Sequence, residues 1–455
     1  MKNKVFKCLL ACALSVSLIG SLLGCGATSN ESDVQKTEEV KGTEDKQSVE
    51  GSSEQRVEPQ TLKVMWWGSQ ERADATSAMC DLFEEKHPGV TVEIEFTDFG
   101  GYYDKLSTQA VSNSLPDVFQ LGSDRLVQYV NSGTLADLTA YMADGAIDVS
   151  TAPESLITAG VVDGKNYAIP TGCNAPVFAY RQDVLDECEL VMPEKLTWDV
   201  YLEMCEIIHE KTGRQSHVAS AVLVEQLEYY LNGFGLKVYS EDGAALGFDE
   251  TKYLVTMWEK GLHAIEKGYA PGVGESTAGD EIFAEEIWSG IFWSNHIEDL
   301  EIAGNCSLEL AELPWVEEGA NPSGYLQPTM YWCVGETSEV KDLATEFLDF
   351  FLNDTEVYEI VGVDRGVPVT AESKELMASK VEGTQKKVME IISYLGQPGM
   401  TSNFVVPHTS AAAEVIDLLA QTTERVFYGA EADLEKAAQE WMDKANEILA
   451  RAASK

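Results

Sequence analysis

Positive charge is scarce in this 455-residue chain: Lys and Arg number 32 against 76 Asp and Glu, a formal net charge of −44. A surface of that sign repels polyanions. Nucleic acid and anionic lipid headgroups are therefore poor partners, since both are held by basic patches, and neutral or cationic partners suit the chain better. Histidine is scarce as well, with six dispersed residues, and His209-Glu210-Lys211-Thr212-Gly213 fails the H-E-x-x-H pattern at its last position. The sequence also lacks G-x-S-x-G, G-x-x-x-x-G-K-[ST] and the D-x-[DN]-x-[DN]-G calcium loop, so the sharper hydrolase, nucleotide and calcium signatures are missing. No C-x-x-C pair occurs among nine cysteines, which argues against a zinc site. No metal or cofactor is expected. What is present is 44% hydrophobic residues, enough apolar material for two or three domains.

The N-terminus carries Lys2, Lys4 and Lys7, then an apolar run from Cys8 to Leu23 that is too short for a comfortable membrane span. Residues 1–24 read as a secretory signal peptide. The closing Leu22-Leu23-Gly24-Cys25 resembles the bacterial lipobox, and that resemblance implies a diacylglycerol thioether on Cys25, left as the first mature residue. The alternative is an ordinary leader with an incidental Cys. From Gly26 to Gln60 there is no aromatic residue, only a polar, acid-rich stretch that cannot bury enough surface to offset its ordering entropy. With the lipidation that resemblance implies, residues 25–60 read as a lipidated Cys and a disordered acidic tether, which would place the body at the extracellular face of the cell membrane, in contact with it through the N-terminal lipid only. The six remaining cysteines (Cys80, Cys173, Cys188, Cys205, Cys306 and Cys333) sit mostly in apolar surroundings and read as unpaired core thiols.

Beyond the tether, strand and helix patterns alternate. Thr61 to Trp67 is β-rich, Glu71 to His87 carries apolar residues at helical spacing, Pro88-Gly89 stops it, and Val90 to Phe96 alternates as a strand. A helix over Tyr102–Asn113, a strand over Asp117–Leu121 and a helix over Ser123–Ser132 continue the rhythm. Strands at Lys165–Ile169 and Val177–Arg181 follow, then helices at Val200–Lys211 (capped by Thr197), Ala219–Leu231, Lys252–Lys267, Lys341–Leu352, Ala411–Tyr428 and Ala430–Ala452. The reading is α/β, with mostly parallel sheet wrapped by helices and ligands beyond the carboxyl ends of the strands. One doubly wound domain would be overlong, so two lobes are the economical architecture.

Several segments resemble family 1 extracellular solute-binding proteins, the sugar-binding lipoproteins of ABC importers. They are Val64 to Arg72 (Val-Met-Trp-Trp-Gly-Ser-Gln-Glu-Arg), Phe83 to Val92, Leu115-Pro116-Asp117-Val118, Asp163 to Pro170, Trp293-Ser294-Asn295, Leu326 to Met330 and Asp364 to Pro368, in family order. The resemblance implies a two-lobed periplasmic-binding-protein-like fold, a ligand cleft between the lobes and three hinge crossings. The crossings would lie near Gly172–Asn174, Leu313–Pro314 and Gly366–Pro368. Lobe one would take 61–173 plus 315–365, and lobe two 174–314 plus 366–455.

A sugar offers apolar C–H faces and a rim of hydroxyls, so its site needs aromatic planes and planar hydrogen-bonding groups. Period-2 alternation sends Trp66 and Trp67 to opposite faces, and Trp67 is the one assigned to ligand, with Trp66 in the core. Arg72, with Gln70 beside it, is a further candidate, or else an ordinary helix start. Asp124 and Arg125 resemble the Asp-Arg pair with which a maltose-binding member of the family holds sugar hydroxyls, although an Asp there is also a routine cap. Asn174 at the first crossing, and Trp293, Ser294 and Asn295, are assigned to ligand by the same resemblance; His296 departs from the Gln of a related branch. Gln327 stands where relatives often carry Lys, which suits a neutral ligand. Arg365 either reaches the ligand or ties the hinge. Tyr102, Tyr103 and Trp332 are aromatic candidates with core packing as the default.

The function that follows is capture of a sugar, an oligosaccharide by preference, by a monomer that delivers it to ABC permease subunits without chemistry. A membrane-anchored glycan hydrolase and a surface adhesin are the competing readings.

Overall fold

The computed structural model describes residues 59–217, 224–272, 283, 287–317, 320–402 and 411–454. The signal peptide, Cys25 and nearly all of the tether lie outside the described residues, as does the beginning of the helix expected from Ala219. In chain order the strands are β1 (Gln60–Trp67), β2 (Val90–Thr97), β3 (Val118–Leu121), β4 (Val161–Val162), β5 (Lys165–Asn166), β6 (Ile169–Pro170), β7 (Cys173–Asn174), β8 (Pro176–Tyr180), β9 (Gln215–Ser216), β10 (Ile287–Trp293), β11 (Glu309–Ala311), β12 (Gln327–Pro328) and β13 (Tyr331–Val334).

Two sheets carry the lobes. The first runs β2-β1-β3-β13-β6 and the second β11-β8-β10-β9. In the first sheet β1 lies parallel to β2, in register from Gln60↔Val90 to Trp67↔Thr97, and parallel to β3. Alternation along β1 divides its side chains between two cores. Leu62, Val64 and Trp66 meet Met79 and Phe83 of the helix Gln70–Lys86, while Met65 and Trp67 meet Tyr102 and Leu106 of the helix Phe99–Val111. Removing a fully buried Trp66 or Phe83 side chain costs about 3–5 kcal/mol.

The expectation of mostly parallel sheets needs correcting. β13 runs antiparallel to both β3 and β6, and β8 pairs antiparallel with β10 and β11, leaving only β9–β10 parallel in the second sheet. Strands that re-enter a lobe after a crossing arrive from the opposite end and so run against their neighbours. The span Lys165–Ile169 likewise splits into β5 and β6, on either side of Tyr167-Ala168.

The crossings form a narrow ribbon. β7 pairs antiparallel with β12, and Cys173 exchanges both backbone hydrogen bonds with Val367, at 2.9 and 3.0 Å. Thr329 ties all three crossings: its N–H donates to Gly172 O (3.0 Å) and its hydroxyl lies 3.3 Å from Gly172 O and 2.5 Å from Arg365 O. Glycine is required at two points of this knot. A Cβ on Gly172 would fall 2.2 Å from Arg365 O, and Gly366 adopts φ +97°.

Gln327–Pro328 thus lies in the ribbon beside the first crossing, fourteen residues beyond Leu313–Pro314. In the intervening segment Trp315 bridges Thr197, with Trp315 N donating to Leu196 O at 2.8 Å, and Asn321 N donates to Gly233 O at 3.1 Å. The cation of Lys195 lies 3.4 Å from the Trp315 ring centroid. All six described cysteines are free thiols, five of them buried, and burial pushes Cys173 and Cys205 up to about 12.

Candidate functional site

The first crossing opens onto a pocket of about 160 Å³. β7 is two residues long, and alternation buries Cys173 completely while turning Asn174 toward that pocket. Its polar lining is Asn174, Ser294, Asn295, Glu298, Thr384 and Gln385; Val363, Val367, Val388 and Met389 supply the apolar side. The polar groups come from four places: the crossing, the turn after β10, the first turn of the helix Ile297–Gly304 and the first turn of the helix Gly383–Leu395.

Ser294 is held rather than free to reorient. Its N–H donates to Ala175 O at 2.9 Å and its Oγ accepts from Ala175 N at 3.1 Å, so the turn after β10 is stapled to the first crossing. The hydroxyl proton remains available to donate. Trp293, partly exposed, pairs across the sheet with Pro176 and stands edge-on to Tyr325 at 6.2 Å, in a cluster with Tyr229 and Leu313. Asn295 and His296 are exposed on the same turn. Gln327 lies directly opposite Asn174 in the β7–β12 pair.

At the carboxyl ends of β1 and β3 the arrangement is aromatic. Trp67 is 8% exposed, enclosed by Tyr102 (4.9 Å), Tyr103 and Phe99 (both 5.8 Å). The plane offered to solvent here is Phe99, 61% exposed at the start of a helix capped by Asp98, with Trp67 as its support. Tyr102 is core, its hydroxyl donating to Gln120 O at 2.6 Å. Tyr103 Oη accepts from Gly122 N at 3.0 Å, and burial raises its phenol to about 12. The Arg125 guanidinium lies 5.1 Å from the Tyr103 centroid and 3.1 Å from Asp124, whose side chain is exposed. Asp124 and Arg125 are thus presented together beyond β3, as one neutralised pair.

Two assigned arginines point elsewhere. Arg72 Nε meets Asp364 Oδ2 at 2.5 Å and its Nη2 donates to Asp364 O at 3.1 Å, binding the first helix to the segment entering the third crossing. Arg365, 4% exposed, turns inward: Nη2 donates to Thr76 Oγ1 at 2.7 Å and the guanidinium lies 5.6 Å from the Trp332 centroid. Burial draws it down to about 10. Its backbone carbonyl accepts from the Thr329 hydroxyl at 2.5 Å. Trp332 itself is fully buried, packed edge-on against Phe347 and Phe351.

The structure thus gathers Asn174, Ser294 and Asn295 around one pocket, sets Trp293 beside it in sequence, keeps Asp124 and Arg125 at the first sheet's strand ends, and takes Arg72 and Arg365 into the hinge. Glu298 was missed although it follows Asn295 by three residues, one helical turn on. Thr384 and Gln385 are remote in sequence and left no local signal. Phe99 was passed over for the tyrosines that follow it. Among the described residues no group of three or more His, Cys, Asp or Glu gathers to hold a metal, and no helix is long and apolar enough to cross a membrane. Planar amides, hydroxyls and one carboxylate around an apolar wall can bind a polyhydroxylated ring by hydrogen bonds on one side and C–H contact on the other.

Comparison with known proteins points the same way. The profile of the family described as bacterial extracellular solute-binding protein matches residues 67–357, more than half of the chain. A diacetylchitobiose binding protein of Streptomyces coelicolor is 25% identical over 337 residues, covering 71% of this chain and 76% of that protein. A maltooligosaccharide ABC transporter solute-binding lipoprotein of Streptococcus pneumoniae is 22% identical over 317 residues, covering 65% and 70%. Among solved structures, a family 1 extracellular solute-binding protein from Alicyclobacillus acidocaldarius superposes with a TM-score of 0.76 at 23% identity, over 87% of this chain and all of that one.

Proposed function

The chain belongs to the bacterial extracellular solute-binding protein family, and on that premise we propose that its solute is a carbohydrate, captured reversibly and handed to the permease subunits of an ABC importer. The observation that carries this reading is the pocket at the first crossing, where Asn174, Ser294 and Asn295 converge with an apolar wall. Relatives named for diacetylchitobiose and maltooligosaccharide support it. Exposed Phe99 on one sheet end and Trp293 beside Tyr325 on the other offer planes for further sugar rings, which favours an oligosaccharide. A ligand spanning crossings tied by Thr329 gains most when both lobes enclose it, so binding and closure are coupled.

The lipobox-like Leu22-Leu23-Gly24-Cys25 and the tether support anchoring of a monomer through Cys25 at the outer face of the membrane, and one relative is named a lipoprotein. No chemistry on the sugar is part of this reading. The test is a thermal-shift and Trp-fluorescence titration against neutral, amine-bearing and acidic oligosaccharides, with the sugar recovered and chromatographed. Saturable binding with intact sugar is expected; cleaved products favour the hydrolase, and silence across the panel favours an adhesin. Trp293→Ala should lower affinity at least tenfold, and wild-type affinity in that variant would misplace the aromatic contact.

A further inference from the structure

Charge at the pocket is one-sided. Among the described residues that line it, Glu298 carries the one ionisable side chain, exposed in the first turn of the helix Ile297–Gly304. Gln385 Nε2 approaches its carboxylate at 3.4 Å, which orients the group without neutralising it. Among the described residues no cation lines the pocket, and three of the nearby ones are paired away from it: Arg72 with Asp364 (2.5 Å), Arg365 with Thr76 (2.7 Å) and Lys387 with Glu309 (2.9 Å). The volume, about 160 Å³, leaves room for no more than a single sugar ring.

We propose that this pocket is a single-ring subsite that takes a neutral or amine-bearing pyranose unit and rejects a uronate, with Glu298 as the selecting residue. The proposal deepens the carbohydrate-capture reading and rests on it. An ionised carboxylate only accepts hydrogen bonds, so it pairs with sugar hydroxyls and with an ammonium group but has nothing to offer a second carboxylate. Two such groups brought within hydrogen-bond range repel, and the repulsion grows as closure strips water from between them. The discrimination is a repulsive element built against the wrong ligand, set beside amides and hydroxyls that accept any pyranose.

The experiment is calorimetric titration of the purified protein, Glu298→Gln and Glu298→Lys with matched pairs: galactotriose against trigalacturonate, and cellotriose against its C6-oxidised triuronate. At least one neutral member should bind wild type tenfold or more tightly than its uronate partner. Glu298→Gln should cut that ratio to threefold or less, and Glu298→Lys should invert it, with unchanged melting midpoints because the position is exposed. A uronate that binds wild type as tightly as its neutral partner, or a ratio that survives Glu298→Gln, overturns the selection while leaving carbohydrate capture standing. Silence from every neutral sugar, in this assay and across the wider panel, brings down both.

Discussion

Asn174 and Arg365 are polar side chains at neighbouring crossings, hydrogen-bonded into one ribbon through Cys173, Thr329 and Val367, yet they end in opposite environments. Asn174 faces the pocket; Arg365 lies beneath the surface against Trp332 and Thr76. Residue type does not decide between binding and bracing. Strand alternation does, by burying Cys173 and turning its neighbour outward, while the Gly366 kink lets the third crossing fold its arginine back into lobe one.

The contrast is open to direct attack. Arg365→Ala should cost about 2–4 kcal/mol of stability, since it opens a cavity under Trp332 and removes a donor to the Thr76 hydroxyl, while the folded fraction keeps its sugar affinity. Urea unfolding and calorimetry read the two separately, and an affinity loss at unchanged stability would make Arg365 a ligand contact after all. Asn174→Ala should do the reverse: an affinity loss of about tenfold, or 1.4 kcal/mol, at a midpoint moved by less than about 0.5 kcal/mol. Thr329→Val keeps the shape but removes the hydroxyl shared with Arg365 O and Gly172 O, and should cost about 1 kcal/mol in urea. The smallest effect is expected at Glu312, whose carboxyl is pushed up by burial, partly offset by its bond to Trp315 and the Lys195 charge. A raised carboxyl penalises its ionised form, so wild-type stability falls as pH climbs from about 4.5 through the folded value. Glu312→Gln should therefore gain slightly at neutral pH and nothing below about pH 4; a gain that persists at pH 3.5 would assign the effect to packing.

Much of the fold was legible because the signals are local. The helix Lys252–Lys267 has the bounds its periodicity predicts, and Thr197 caps its helix by accepting from Val200 N at 3.3 Å. Strand direction was not legible, because whether β13 meets β3 parallel or antiparallel depends on where the chain crosses. Where the segment after Leu313 packs was not legible for a related reason. Leu313-Pro314 carries a breaker, but Trp315 bridges to Thr197, a long-range contact that no nearby residue announces. Asn174, Ser294 and Asn295, which line the pocket, were proposed from resemblance to short family segments. Arg72 matched a motif equally well, but its orientation depends on Asp364, far away in sequence.

The proposed function requires that an oligosaccharide be clasped by two lobes that turn about one hydrogen-bonded ribbon and be released unaltered. Small-angle scattering through a sugar titration tests it most directly. The radius of gyration should fall in step with occupancy and recover when the intact sugar is dialysed away. Saturable binding with no change in radius, or a fall that dialysis does not reverse, would contradict it.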